Sequence, residues 1–418
     1  MKVMWIVNTI FPYPSEKMKI KKSVFGGWMQ GLMNSLLKND EISLAVVSTY
    51  IGKELKSFYD GKVYYYLLPT NNQIKYDKKL CEFYQEVCNK FKPDLVHIHG
   101  TEYPNGLAFM NAFPNIKTVI SIQGLVSAYE KLYLLNISAK DVIKNITFRD
   151  IVKFDNLFRQ KKKFYNRGKY EIQMVKKCNY IIGRTSWDYS EVMGITDINK
   201  YRKCNESLRD SFYNKKWNYH YIEKNTIFVS QASYPIKGFH DLIKALPIVK
   251  KRYPNIKVYV AGNNIIDRTC LKNRLKLSGY GKYIIKLMKK NDVFDNINFV
   301  GLLNEEEMLN LMMKCNIFVQ SSILENSPNS LGEAMLIGMP IVASDVGGTS
   351  DMLENTKDGL LYPYAESNLL AERIIRVLDN YDDAIMMGNN ARKHAQLTHD
   401  RDKNANKMVE IYKEIIQK

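Results

Sequence analysis

Residues 317–348 read IFVQSSILENSPNSLGEAMLIGMPIVASDVGG, and the reading of this stretch decides the fold. It opens on a β-branched and aromatic run, 317–319, that predicts a buried strand. A helix is expected next, with Ser327 as its N-cap, Pro328 at the first helical position, and Gly338 and Pro340 closing it. Residues 341–344 then predict a second strand. The unit is β–loop–helix–β, the repeat of a parallel sheet.

Two carboxylates lift this unit above a scaffold. Glu325 falls in the loop before the helix, and Glu333 falls inside it, among Leu331, Ala334, Met335, Leu336 and Ile337, with no local partner. A carboxylate on so apolar a segment is costly unless donors meet it. Between the two lies a helix N-terminus, whose free N–H groups suit a phosphate. Two hydroxyl-accepting groups flanking one anion site suit a sugar joined to a nucleotide through phosphates. An ordinary α/β unit with solvated glutamates is the plainer alternative for an isolated E-x7-E pair; the Ser-Pro cap, the apolar surroundings and the following strand weigh against it.

Glu325 to Glu333, with PNSLGEAM between and GMPIVASDVGG after, resembles the signature of glycosyltransferase family 4, retaining enzymes of the GT-B fold. The resemblance implies an α/β chain of two Rossmann-like domains facing a central cleft. It implies that Glu333 binds the donor's ribose hydroxyls and Glu325 a hydroxyl of the transferred sugar. The N–H groups around Asn329, Ser330 and Leu331 would hold the distal phosphate, with Asn326 and Ser327 in the same donor-binding set.

At 418 residues the chain is long enough for two domains. The organisation expected is a domain over 1–214, a linker at 215–224 rich in Asn, Tyr and Lys, and a second domain over 225–398. The amphipathic segment 402–418 is expected, from the resemblance, to return to the first domain. Six cysteines show no C-x-x-C pair or zinc-ligand spacing, which points to reduced thiols and a cytosolic protein. The apolar run at the start is too short for a signal peptide, and no run reaches the ~20 residues of a spanning helix.

Net charge is +18, unevenly spread: residues 1–210 hold 33 Lys/Arg against 20 Asp/Glu. Such a surface attracts phosphates, in lipid, lipid pyrophosphate or nucleic acid. Residues 149–177 interleave basic with aliphatic and aromatic residues. They read either as amphipathic helices with a solvated basic face or as a membrane-surface patch. No nucleic-acid-binding module accompanies them, and nucleic acid is not an expected partner.

Other candidates follow along the chain. Phe25-Gly26-Gly27-Trp28 precedes a helix-like segment, and paired glycines permit close backbone approach. The segment 93–100 is expected to be a strand that carries His97 and His99 on one face and ends in Gly100. His97 is expected to be structural. The resemblance places Gly26, Gly27, His99 and Gly100 as substrate-binding residues, and Gly301 beside the nucleotide base. Gln123 stands where many family members carry histidine; it can hold a hydroxyl but cannot act as a base. Lys237 matches one of the two cations that clamp the donor phosphates in the family. The arginine partner is missing, with Arg184 and Arg209 as unranked substitutes.

The expected function is retaining transfer of a sugar, from UDP in the first instance, to a saccharide acceptor. A lipid-linked saccharide of a surface polysaccharide pathway, met on the inner membrane face, suits the basic first half. Glu325 and Lys237 are the expected catalytic residues. Neither metal nor cofactor is expected. A catalytically silent GT-B protein that binds nucleotide-sugar or a partner, and a basic membrane-surface protein, remain open alternatives.

Overall fold

A computed structural model describes every residue except Lys22, Val24, Phe25 and Lys418. Phe25 of the paired-glycine loop and the last residue of segment 402–418 therefore lie outside the described residues. Contacts divide the chain into two units. One comprises Met1–Ala128, Phe164–Leu208 and His399–Lys418; the other comprises Tyr129–Lys163 and Arg209–Thr398.

The first unit is built on eight strands: β1 (Lys2–Val7), β2 (Ser43–Ile51), β3 (Lys56–Tyr59), β4 (Val63–Thr70), β5 (Leu95–His99), β6 (Thr118–Ser121), β7 (Tyr180–Gly183) and β8 (Tyr201–Lys203). Their order is β3-β4-β2-β1-β5-β6-β7-β8, and every pairing is parallel except β3 on β4. Central strands such as β1, KVMWIV, are apolar runs because helices cover both faces. The edge strands β3 and β8 lack that signal: KSFY and YRK are largely polar and partly solvated, as unpaired edges must be. The helix Arg401–Gln417 completes this unit's core with Met408, Ile411, Tyr412 and Ile415, and the Tyr412 hydroxyl accepts from Trp5 Nε1 at 3.1 Å.

The second unit carries a wholly parallel sheet: β9 (Thr226–Val229), β10 (Lys257–Ala261), β11 (Ile297–Gly301), β12 (Ile317–Gln320), β13 (Ile341–Asp345) and β14 (Leu360–Pro363), in the order β11-β10-β9-β12-β13-β14. Both units are thus doubly wound, and each has one place where the connections diverge. In the first, β1 lies between β2 and β5; in the second, β9 lies between β10 and β12. Ligands of open α/β sheets bind at the carboxyl ends of the strands at such points.

Residues 129–163 fall on the other side of the division from the sequence boundary at 214. The helix Ala139–Lys144 packs on Gly279–Lys290, and Phe148–Val152 packs on Leu271–Lys276. Asn136 Nδ2 donates to Asp241 Oδ1 at 2.8 Å, and Lys282 Nζ to the Ile146 carbonyl at 3.2 Å. The basic stretch 149–177 is therefore not one surface. Its later part is anchored in the first unit by buried Glu171, which accepts from Thr101 Oγ1, Ser127 Oγ and the N–H groups of Val126 and Ser127.

Candidate active site

In the second unit the loops after β9 and β12 interlock. Gly238 has φ +61°, and a Cβ there would collide with the Ser321 carbonyl. Ile323 N–H donates to the Ile236 carbonyl at 2.7 Å, and Ser321 Oγ to the Lys237 carbonyl at 3.3 Å. This close approach, which only glycine allows, brings Lys237 Nζ 2.6 Å from Glu325 Oε1. Ser322 Oγ donates to the same oxygen at 2.7 Å. Burial works against the Lys237 ammonium, but the Glu325 carboxylate outweighs it and holds the lysine charged. On the other side of Glu325, its carbonyl accepts from Gly348 N–H at 3.0 Å, and Gly347, at φ +55°, has no room for a side chain against it. The VGG after β13 thus fixes the loop that carries Glu325.

The helix after β12 runs Asn329–Ile337, closed by Gly338 in the left-handed region. Its start departs from the sequence reading. Pro328, with ψ 119°, is the N-cap rather than the first helical residue, and Ser327 does not cap it. Because the Pro328 backbone is itself extended, Asn329 is the first helical residue, one later than the sequence pattern predicts. Leu331 and Gly332 N–H both donate to the Pro328 carbonyl, and Pro328, the N-cap residue, makes no side-chain capping bond. Ser330 Oγ accepts from Ser230 Oγ at 3.1 Å, tying it to the end of β9. Asn326 is buried, and Ser327, Asn329 and Ser330 are partly exposed.

Glu333 is buried, as its apolar helix required, but it is not alone. Arg209 donates to it through Nε and Nη2, both at 2.6 Å, a bidentate pair. Burial pushes the Glu333 carboxyl up, the Arg209 guanidinium pulls it down, and Glu305 adds a smaller upward push. The partner lies 124 residues earlier, beyond the reach of any local pattern. Gly301, φ +87°, ends β11 with open space where a Cβ would stand.

The first unit gathers a different set. Gly26, φ +83°, caps the helix Gly27–Leu36. His97 is held by Tyr412 OH at 2.6 Å and Ser121 Oγ at 2.7 Å. Burial lowers its pKa to about 3, which leaves it neutral and structural. His99 stacks on it at 3.8 Å and meets the edges of Trp5 and Trp28. It is 3% exposed, and neither ring nitrogen has a hydrogen-bond partner among the described residues. Burial, then His97 and Arg184, hold it well below the usual imidazole range.

Gln123 Nε2 donates to Glu206 Oε1 at 3.0 Å, and Arg184 pairs with Glu206 and the Ile122 carbonyl. Arg184 is thereby committed within the first unit, whereas Arg209 shares a unit with Lys237. Glu102 carried no sequence signal. It sits two residues past Gly100, accepts from Asn8 Nδ2 at 3.1 Å, and is pushed up to about 7, first by burial and then by Glu171, with Arg167 and Arg184 opposing. Gly100, φ +88°, leaves no room for a side chain beside that carboxylate.

Among the described residues no group of three or more His, Cys, Asp or Glu side chains could hold a metal ion, and no helix is long and apolar enough to cross a membrane. All six cysteines are free.

Residues 214–394 match the family model described as glycosyl transferases group 1. Spore coat protein SA of Bacillus subtilis is 24% identical over 192 residues, 46% of this chain and 48% of that protein. The chain spans about half the length of the curated relatives it matches. Sucrose-phosphate synthase from Thermosynechococcus elongatus is similar in structure over 100% of this chain and 99% of its own, with TM-score 0.73 and 14% identity. HepE from Anabaena, solved with UDP and glucose, covers 99% of each chain with TM-score 0.68 and 15% identity. At such identities the likeness speaks for architecture, and the chain has the α/β, two-domain Rossmann-like fold of GT-B glycosyltransferases, with its group 1 similarity lying over 214–394.

Proposed function

We propose that this chain is a retaining glycosyltransferase of family 4 type that moves a sugar from a nucleoside diphosphate, UDP in the first instance, to a saccharide acceptor. The observation that carries the reading is the arrangement around the helix Asn329–Ile337: an N-terminus with proline as its N-cap, Glu325 and Lys237 before it, and Glu333 within it. The donor diphosphate takes the helix N-terminus and Lys237 as its cations. Lys237 exchanges part of its bond to Glu325 for phosphate oxygens, which leaves Glu325 to accept a sugar hydroxyl. A carboxylate offers about four lone-pair sites, so Glu333 can keep Arg209 and still accept ribose hydroxyls. Arg209 then stands near the donor as the cation that replaces the missing arginine partner of Lys237.

Catalysis rests on positioning and on stabilising the leaving diphosphate. The leaving phosphate takes the acceptor's proton, because Gln123 is no base and is bound to Glu206. The reaction is read as metal-independent. UDP is supported by the similarity to HepE, solved with UDP and glucose. A lipid-linked acceptor on the inner membrane face is supported by the basic first half of the chain. A silent protein that binds donor without turnover is the second reading, favoured by Gln123.

The test starts from a panel of nucleotide-sugars, screened by thermal stabilisation, since a native-state ligand raises apparent stability. For the donor that binds, Glu333→Gln is expected to weaken affinity by about 1.5–3 kcal/mol, the worth of a charged hydrogen bond, measured on the folded fraction because Arg209 loses its charged partner. Unchanged affinity by calorimetry removes the ribose assignment. Absence of turnover by the parent selects the silent reading, and an inverted anomeric product overturns retention.

A further inference from the structure

The second unit carries a set of large apolar side chains that the protein does not bury. Ile143, Phe148, Ile151, Val152, Phe154 and Leu271 are each 58–72% exposed, and Leu275 is 51% exposed. They come from two segments far apart in sequence that the fold joins, because the helix Phe148–Val152 packs on the helix Leu271–Lys276. A scattered exposed leucine is ordinary, but a grouped set on adjoining helices marks an interaction surface.

The framework beneath is firmly built. Thr147 and Asp150 form a reciprocal capping box at the start of Phe148–Val152. Arg149 bridges Asp150 at 3.2 Å and Asp155 at 3.0 Å. Phe154, φ +48°, turns the chain into the next helix with its ring 72% exposed. A phenylalanine in the left-handed region is strained, and burial within the chain does not offset that strain here.

Charge selects the partner. Residues 139–163 and 268–276 together hold twelve Lys/Arg and three Asp/Glu. Of the three acids, Asp150 and Asp155 are already paired with Arg149. A second copy of so basic a face would repel it, whereas an anionic surface complements it. Beside the apolar set lies a cavity of about 530 Å³ lined by Arg149, Lys153, Lys276, Asn273 and Ser278, with Asp267 bound to Thr269 and Asn273. It offers room for an anionic headgroup next to the apolar side chains.

We infer that this surface, formed by residues 139–158 and 268–276, docks the protein on an anionic lipid bilayer: the aromatic and aliphatic side chains enter the interface and the surrounding basic residues meet the headgroups. The inference goes beyond the proposed function, because it needs neither donor nor turnover. It also moves the contact from Lys161, Lys162 and Lys163 to the apolar residues before them. Lys161 and Lys163 face Glu130 and Asp155 at 3.7 and 2.7 Å.

The test is sedimentation of the full chain with vesicles of phosphatidylcholine alone and of phosphatidylcholine mixed with phosphatidylglycerol, at two salt concentrations. The parent is expected to bind the mixed vesicles and to lose binding as salt rises. Replacing Phe148, Ile151, Phe154 and Leu271 together by Ser is expected to weaken binding at least about tenfold, with an unchanged melting temperature since these side chains are exposed. A second variant, with Lys140, Lys144, Lys153 and Lys272 changed to Ser, is expected to lose about fivefold per residue. Failure of the parent to prefer anionic vesicles overturns the proposal, as does parent-like binding by either variant. A parent that sediments as a dimer, with monomers from the apolar variant, assigns the surface to self-association instead.

Discussion

The two places where the sheets diverge use charge differently. In the second unit the groups at the strand ends are ion pairs, Lys237 with Glu325 and Arg209 with Glu333, around a helix N-terminus whose N-cap is a proline. In the first unit the ion pair of Arg184 with Glu206 is taken up in holding Gln123, and the histidine pair beside it is neutral and stacked. Paired charges can be exchanged for those of an incoming phosphate without exposing a bare ion. A neutral buried ring such as His99, with both nitrogens unpartnered among the described residues, can instead meet a neutral hydroxyl. Under the proposed function, the difference suits a charged donor on the second unit.

The sharpest way to break this comparison is to remove a charge from the second unit. Lys237→Ala is expected to lower turnover ~10²–10³-fold, the usual loss when one preorganised stabiliser of transition-state charge goes. A single-turnover assay with the matched donor checks it, corrected for folded fraction because Glu325 is left unpaired. A loss below tenfold would place the stabilising charge elsewhere.

The first unit is sharpened through Glu102, whose carboxyl is raised from 4.5 to about 7. A raised carboxyl makes the folded state favour the proton. Its stabilising contribution is full below about pH 4.5 and fades as pH rises towards 7. Glu102→Gln is expected to flatten that window, by up to about 3 kcal/mol across it. Melting temperatures of parent and variant from pH 4.5 to 7.5 check this, and parallel profiles refute it.

The smallest effect is expected from Gln123→Ala. A neutral hydrogen bond contributes about 0.5–1.5 kcal/mol, so turnover is expected to fall less than about tenfold. A loss as large as that of Lys237→Ala would erase the contrast between the two units.

Much of the second unit was legible because its signals are local. The run before Glu325, the glycine and proline after Ile337, and the apolar positions around Glu333 each state a strand, a stop or a buried face within a few residues. The start of the helix was misread at Ser327 and Pro328 because a cap depends on the backbone angles of one residue, and proline fits either position. Strands β3 and β8 escaped notice because edges carry no apolar run.

By itself the sequence determined the alternation of strands and helices, the two-domain scale of the chain and the placing of Glu325 and Glu333 on either side of one helix N-terminus. Those follow from periodicity and spacing along the chain. Tertiary structure alone decided that Arg209 pairs with Glu333, that Tyr412 holds His97, and that residues 129–163 join the second unit. It also decided which apolar residues of 149–177 are buried and which face solvent. Each of these depends on contacts between residues many tens of positions apart, where the pattern of neighbours along the chain carries no information about neighbours in space.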